Sequence, residues 1–159
     1  MSKLQQELRQ TKAFVSKRQE ALLALQRTTD LVSRPVEKIF SRWKLTPEQY
    51  NVLRILRGAE PDGLPTLEIG RRMITRASNV TRIIDRLEIK RYLTRHRESG
   101  DRRVVRIRIT SQGLQLLSRM QSAVDSNTEQ AMGGVSETEA ARLVLLLERV
   151  RDGLDGQKN

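Results

Sequence analysis

The sequence predicts a mainly α fold with a small β-hairpin wing, a winged helix-turn-helix flanked by N- and C-terminal dimerisation helices. Three observations predict it. Apolar residues recur at helical spacing over most of the chain, as in Val80, Ile83, Ile84 and Leu87. The period falls to two only between Tyr92 and Thr110. Thirteen Lys/Arg and four acids lie within 71–108, so that stretch carries +9 of the chain's net +11. Charge so concentrated points to one anionic surface as partner rather than to general solubility.

Totals narrow the class further. A chain of 159 residues is one domain, or one domain with helical extensions. Aromatics are 3% of it, so Leu, Ile and Val must supply most of the core. The absence of Cys excludes disulfides, thiolate metal sites and thiol redox sensing. His96 is the single histidine and cannot nucleate a histidine metal cluster. No cofactor is implied. The start lacks a signal-peptide apolar core, and the longest aliphatic run, Leu143 to Leu147, is far too short for a bilayer. The expectation is a soluble protein with no membrane partner, cytoplasmic and nucleoid-associated.

In chain order, residues 3–29 read as one helix, with Leu8, Val15 and Leu22 spaced by sevens and Leu4, Phe14 and Leu25 widening the stripe. Pro35 separates it from a second short piece holding Val36, Ile39, Phe40 and Trp43. Thr46-Pro47-Glu48-Gln49 is a helix start, with Thr46 as N-cap, Pro47 at the first helical position and Gln49 closing a capping box. Gly58 ends that helix, and 59–65 is a turn cluster. Thr66 caps a short helix, Ile74-Thr75-Arg76 break it, and a second helix runs from about Ala77 to Arg91. Its apolar quartet faces one way, while Ser78, Arg82 and Asp85 face the other and Asn79, Thr81 and Arg86 lie on the flanks. This is the helix-turn-helix layout.

The alternating stretches Tyr92–Arg97 and Val104–Thr110 form a two-stranded hairpin with Glu98 to Asp101 as its turn and Arg102 and Arg103 at its tip. Thr110 or Ser111 caps a long helix to about Met132. Gly133-Gly134 breaks it, and Ser136 with Glu139 caps a last helix with Ala140, Leu143, Leu147, Val150 and Leu154 on a narrow seam. The last four residues fray. The expected division is 1–45 as N-terminal dimerisation helices, 46–110 as the winged helix-turn-helix, and 111–159 as C-terminal dimerisation helices. The end helices are short of buried partners within one chain, so a homodimer is the economical reading and a monomeric helical subdomain the alternative.

Chemistry gives the basic stretch its roles. Residues near the start of a recognition helix reach base edges in the major groove, where Asn pairs with adenine and Arg with guanine. Ser78, Asn79 and Arg82 suit that task. Arg76 and Arg86 are better placed for phosphates. Arg102 and Arg103 can enter a narrow minor groove, where the potential is most negative. Asp101 orients an arginine rather than touching DNA.

The segments LTPEQYNVLRIL, SNVTRIIDRLEIKRYLTR and GDRRVVRIRIT followed by SQG resemble the MarR family of winged-helix transcriptional regulators, and the resemblance extends over nearly the whole chain. It implies an obligate homodimer on a palindromic operator in double-stranded DNA, often released by a small, commonly aromatic anion. It also implies that Ser78, Asn79, Thr81 and Arg82 face the major groove, that Arg103 probes the minor groove and that Asp101 braces the wing. An effector pocket in the family lies near positions here held by Phe14, Phe40, Trp43 and Tyr50, each of which also suits ordinary core. Two departures stand out. Arg91 occupies a usual glycine position at the exit of the recognition helix, so either the exit geometry differs or Arg91 adds a phosphate contact. Ile89 lies on the outward face and is expected to pack under the wing. The functional expectation is a sequence-specific repressor, the alternative a nonspecific architectural DNA-binding protein. An enzyme is disfavoured: there are no phosphate-loop glycines and no inward-looking carboxylate pair.

Overall fold

The computed structural model describes residues 1–76, 79–97 and 105–155. Ser78, the wing turn with Asp101, Arg102 and Arg103, and the last four residues lie outside the described residues.

The N-terminal region departs from expectation in two ways. The helix expected over 3–29 is divided into α1, Lys3–Glu7, and α2, Lys17–Arg42. Capping wins over stripe periodicity here. Ser2 and Gln5 close a capping box at the first start, and Ser16 Oγ accepts the Gln19 N–H at 3.2 Å at the second. Arg9, with φ 51°, turns the chain between them. Conversely, Pro35 does not separate two pieces but lies inside α2. A proline there removes one helical hydrogen bond and crowds the carbonyl four residues back. The helix continues because its far end is fastened by tertiary packing, with Phe40 and Leu45 both buried.

The next elements follow the sequence closely. In α3, Pro47–Arg57, the Gln49 N–H donates to Thr46 Oγ1 at 3.3 Å and the Thr46 N–H to Gln49 Oε1 at 3.1 Å. Its inner face contributes Tyr50, Val52, Leu53 and Leu56 to the core. A short strand, β1, covers Leu64–Pro65 and was not expected. It pairs with β3, Val105–Ile109, which also pairs with β2, Leu93–Arg97. The wing is therefore a three-stranded antiparallel sheet of order β1-β3-β2 rather than a two-stranded hairpin. Gly63 permits this close approach. Its φ is 69°, and a Cβ there would lie 2.3 Å from the Ile107 carbonyl oxygen.

In helix α4, Thr66–Arg72, Pro65 occupies the N-cap position without a side-chain capping bond, so Thr66 is the first residue and not the cap. Helix α5, Val80–Ile89, begins after Asn79 and ends before Lys90, shorter than the expected 77–91. Ile83, Ile84 and Leu87 are buried and Val80 half-buried, as the helical quartet requires. Helix α6, Ser111–Met132, is capped by Thr110, whose Oγ1 accepts the Gly113 N–H at 3.1 Å. Helix α7, Glu137–Asp155, opens on the expected Ser136/Glu139 box, with the Ser136 N–H donating to Glu139 Oε2 at 2.9 Å.

The chain divides into two compact units, Met1–Val124 and Asp125–Asn159, with the boundary inside α6. The first holds the buried core, from Phe40 to Met120. The second holds the end of α6 and all of α7, whose Leu143, Val144, Leu145, Leu146, Val150 and Leu154 are all exposed in the single chain. Among the described residues no helix is long and apolar enough to cross a membrane.

Candidate nucleic-acid interface

The apolar quartet, with Ile83, Ile84 and Leu87 buried, fixes which side of α5 faces out. Asn79, Thr81, Arg82 and Arg86 are exposed there, and Arg76 is exposed in the preceding turn. Asn79 occupies the N-cap position, yet its side chain makes no capping hydrogen bond, which leaves its amide for another partner. Among the described residues Arg76, Arg82 and Arg86 form no ion pair. Arg76, Asn79, Arg82 and Arg86 line one groove with Thr46 and Gln49 from the start of α3.

The turn between α4 and α5 is tied from outside. Asn51 Oδ1, on α3, accepts the Ile74 N–H at 2.9 Å. This contact carried no sequence signal, because its partners are 23 residues apart and one of them is a backbone amide.

Other basic residues of the stretch have structural partners instead. Arg71 and Arg72 pair with Glu68 on their own helix. Arg106 and Arg108, on β3, donate to the Gly63 and Asp62 carbonyl oxygens, each at 3.3 Å, and hold the turn before β1. Arg95, on β2, bridges Asp85 and Glu88 of α5. Among the described residues of the positive stretch, Arg71, Arg72, Arg95, Arg106 and Arg108 are thus engaged within the lobe, whereas Arg76, Arg82 and Arg86 form no ion pair.

The exit of α5 answers the question posed by Arg91. Its φ is 60°, with its own N–H on the Glu88 carbonyl and the Tyr92 N–H on the Leu87 carbonyl. That is the left-handed Schellman ending that usually takes glycine, so the exit geometry is kept and the chain bears the strain of a Cβ there. Lys44 repeats the arrangement after α2, with φ 54° and the Leu45 N–H on the Phe40 carbonyl. The two exits meet: Lys90 Nζ donates to the Lys44 carbonyl oxygen at 2.5 Å. Burial, with the charges of Arg86 and Lys44 beside it, holds the Lys90 ammonium below its ordinary range. A nearby anion would relieve that repulsion. Ile89 is 82% exposed, so it does not pack beneath the wing. With Lys44, Arg86 and Lys90 it borders a shallow groove at the end of the helix.

A second cavity, of about 190 Å3, lies between α2, α3 and the turn after α4. Phe40 and Tyr50 line it, stacked with ring centroids 4.5 Å apart, and Arg54 stands among its polar lining residues. Trp43 instead packs against the core, and neither it nor Phe14 lines the cavity. Among the described residues no cluster of His, Cys, Asp or Glu is arranged to hold a metal ion.

An outward polar and basic helix, set by a helix-turn-helix beside a basic sheet, defines a winged-helix DNA-binding protein. Residues 45–105 match the model of the MarR family. The chain is 33% identical over 132 residues to the HTH-type transcriptional regulator PecS of Dickeya dadantii, covering 82% of this chain and 79% of that one. It is similar to the crystal structure of a MarR transcription factor from Planctomyces limnophilus, at 39% identity and TM-score 0.66 over 86% of this chain and 98% of that one. It also shares the fold of Bordetella bronchiseptica BpsR, whose DNA binding 6-hydroxynicotinic acid regulates, at 23% identity and TM-score 0.74 over 89% and 98% of the two chains. The chain belongs to the MarR family of winged helix-turn-helix transcriptional regulators.

Proposed function

We propose that the protein is a homodimeric repressor that reads a palindromic operator and is released from it by a small aromatic anion. The observation that carries this reading is the division of charge on α5. Its two acids are occupied by Arg95, while Asn79, Thr81, Arg82 and Arg86 stand exposed. In this reading Ser78, Asn79, Thr81 and Arg82 meet base edges, Arg76 and Arg86 meet phosphates, Arg102 and Arg103 form the minor-groove tip, and Asp101 braces it. Arg91 joins the phosphate contacts, which accounts for a strained arginine where glycine would be easier.

Dimerisation is assigned to residues 1–45 and 111–159. The apolar faces of α2, with Leu22, Leu25, Leu31 and Val32, and of α7 are exposed in the single chain and support it. The Phe40–Tyr50 cavity suits a flat ring, and Arg54 suits its carboxylate. The same reading implies a cytoplasmic, nucleoid-associated protein.

In-vitro selection from a random DNA pool, followed by competition with random duplex, tests the reading. The expected product is an inverted repeat with half-sites about one helical turn apart, bound with a steep dependence on salt. Equal affinity for selected and random duplexes would overturn it in favour of a nonspecific architectural protein.

A further inference from the structure

Arg95 lies on the face of β2 that is turned toward α5. It pairs with Ile107 in the strand register and alternates with Leu93, both wholly buried. Arg95 itself stays exposed, with its guanidinium laid against α5, which supplies two anionic partners. Arg95 Nη2 lies 2.5 Å from Asp85 Oδ1, and Arg95 Nη1 donates to Glu88 Oε2. The hydrogen bond to Asp85, then the charges of Glu88 and Asp85, raise the hold of the guanidinium on its proton despite partial burial. Asp85 and Glu88 are three residues apart on one helix face, and they are the two acids of α5. One planar fork therefore occupies both.

Two consequences follow for a reading helix and its wing. Free carboxylates on α5 would face the DNA phosphates with like charge, and the single positive charge of Arg95 offsets part of their two negative charges where they stand. The chain between α5 and β2 is only Lys90 to Tyr92. The Arg91 turn fixes one end of that link, and Arg95 fastens the strand to the helix beyond it. We propose that Arg95 is a positioning residue: through Asp85 and Glu88 it sets the angle between the wing and the recognition helix, and so selects DNA in which major-groove and minor-groove contacts form together. The proposal rests on the reading of α5 as the helix that enters the major groove. It needs no contact between Arg95 and DNA.

The test has two arms. The chain has no cysteine, so Thr81→Cys with His96→Cys takes two spin labels at defined places. Diluting labelled with unlabelled protein leaves only distances within one chain. In the free protein the distance distribution is expected to be narrow, and to broaden in Arg95→Ala and in Asp85→Asn/Glu88→Gln. An unchanged distribution overturns the brace without reference to DNA.

The second arm uses unlabelled protein with the selected duplex and a random duplex. Asp85→Asn/Glu88→Gln adds two units of positive charge, so electrostatics alone predicts tighter binding to both. The brace predicts about tenfold weaker binding to the selected duplex, the size of one lost specific contact, with random binding unchanged or tighter. Arg95→Lys is expected not to restore selectivity, because an ammonium cannot fork between two carboxylates. Equal or tighter binding of the selected duplex by the double variant overturns the role. So does an Arg95→Ala variant that loses affinity for both duplexes alike with a salt slope lower by about one, the signature of a phosphate contact. If selection enriches no sequence, the reading of the chain as an operator-specific regulator fails while the first arm still decides the brace.

Discussion

The Asn51 side-chain carbonyl on α3 accepts the backbone N–H of Ile74 at 2.9 Å. It pins the turn that precedes the recognition helix to the helix that begins the lobe. The Ile74 side chain is 84% exposed, so water can reach the amide if the bond is lost. Asn51→Ala is therefore expected to cost only about 0.5–1.5 kcal/mol of stability. Its larger effect falls on the placement of Arg76 and Asn79, and so on affinity for the selected duplex. Asn51→Asp keeps the acceptor and is expected to retain binding. Titration of both variants beside urea unfolding checks this. Equal losses of binding in the two would show that the acceptor is not what matters.

Glycine at the two strained exits should stabilise the protein. Arg91→Gly and Lys44→Gly each remove a left-handed Cβ conformation that costs about 1–2 kcal/mol, offset in part by the looser unfolded chain. A net gain of about 0.5–1 kcal/mol each is expected, read as a higher urea midpoint at constant slope. If Arg91 touches phosphate, Arg91→Gly will be more stable and bind DNA less tightly, a pair of opposite shifts that a structural role alone does not give.

The open cations should divide by role. Arg82→Ala and Asn79→Ala are expected to cost about 1–3 kcal/mol on the selected duplex and to relax selectivity at particular bases. Arg76→Ala and Arg86→Ala are expected to weaken all duplexes alike and to lower the salt slope by about one each. Measuring affinity across a salt series on selected and random DNA separates the groups. Identical behaviour of the four variants would remove the assignment.

Position 113, in the first turn of α6, has no room for a side chain. A Cβ there would lie 2.3 Å from the Tyr92 carbonyl oxygen and 2.7 Å from Ile109 Cγ1. Gly113→Ala must push α6 away from the sheet, at about 1–3 kcal/mol. Thermal unfolding reads the loss, with Gly134→Ala as a control, since a Cβ at Gly134 meets nothing within 4 Å. A neutral Gly113→Ala would mean that the packing of α6 on β3 is looser than the structure shows.

Much of the fold was legible in the sequence because it rests on local rules. The Thr46 and Ser136 boxes, the apolar quartet of α5 and the alternating β3 each follow from residues within one or two turns of each other. Two local signals misled. Seven-residue spacing concealed the break between α1 and α2, where a second serine cap outweighed the stripe. Pro35 suggested an end that tertiary packing of Phe40 and Leu45 overrode.

The sequence by itself determined that this chain is a basic winged helix-turn-helix and which face of its recognition helix is polar, because periodicity and capping are properties of neighbouring residues. Only the tertiary structure decided which cations are free. Arg95 and Arg82 carry the same charge in the same stretch. One is held against Asp85 and Glu88 and the other stands open, because strand alternation sets the first beside α5 and the helical period turns the second away from the core. Charge is counted along a chain, but its partners are assigned in space.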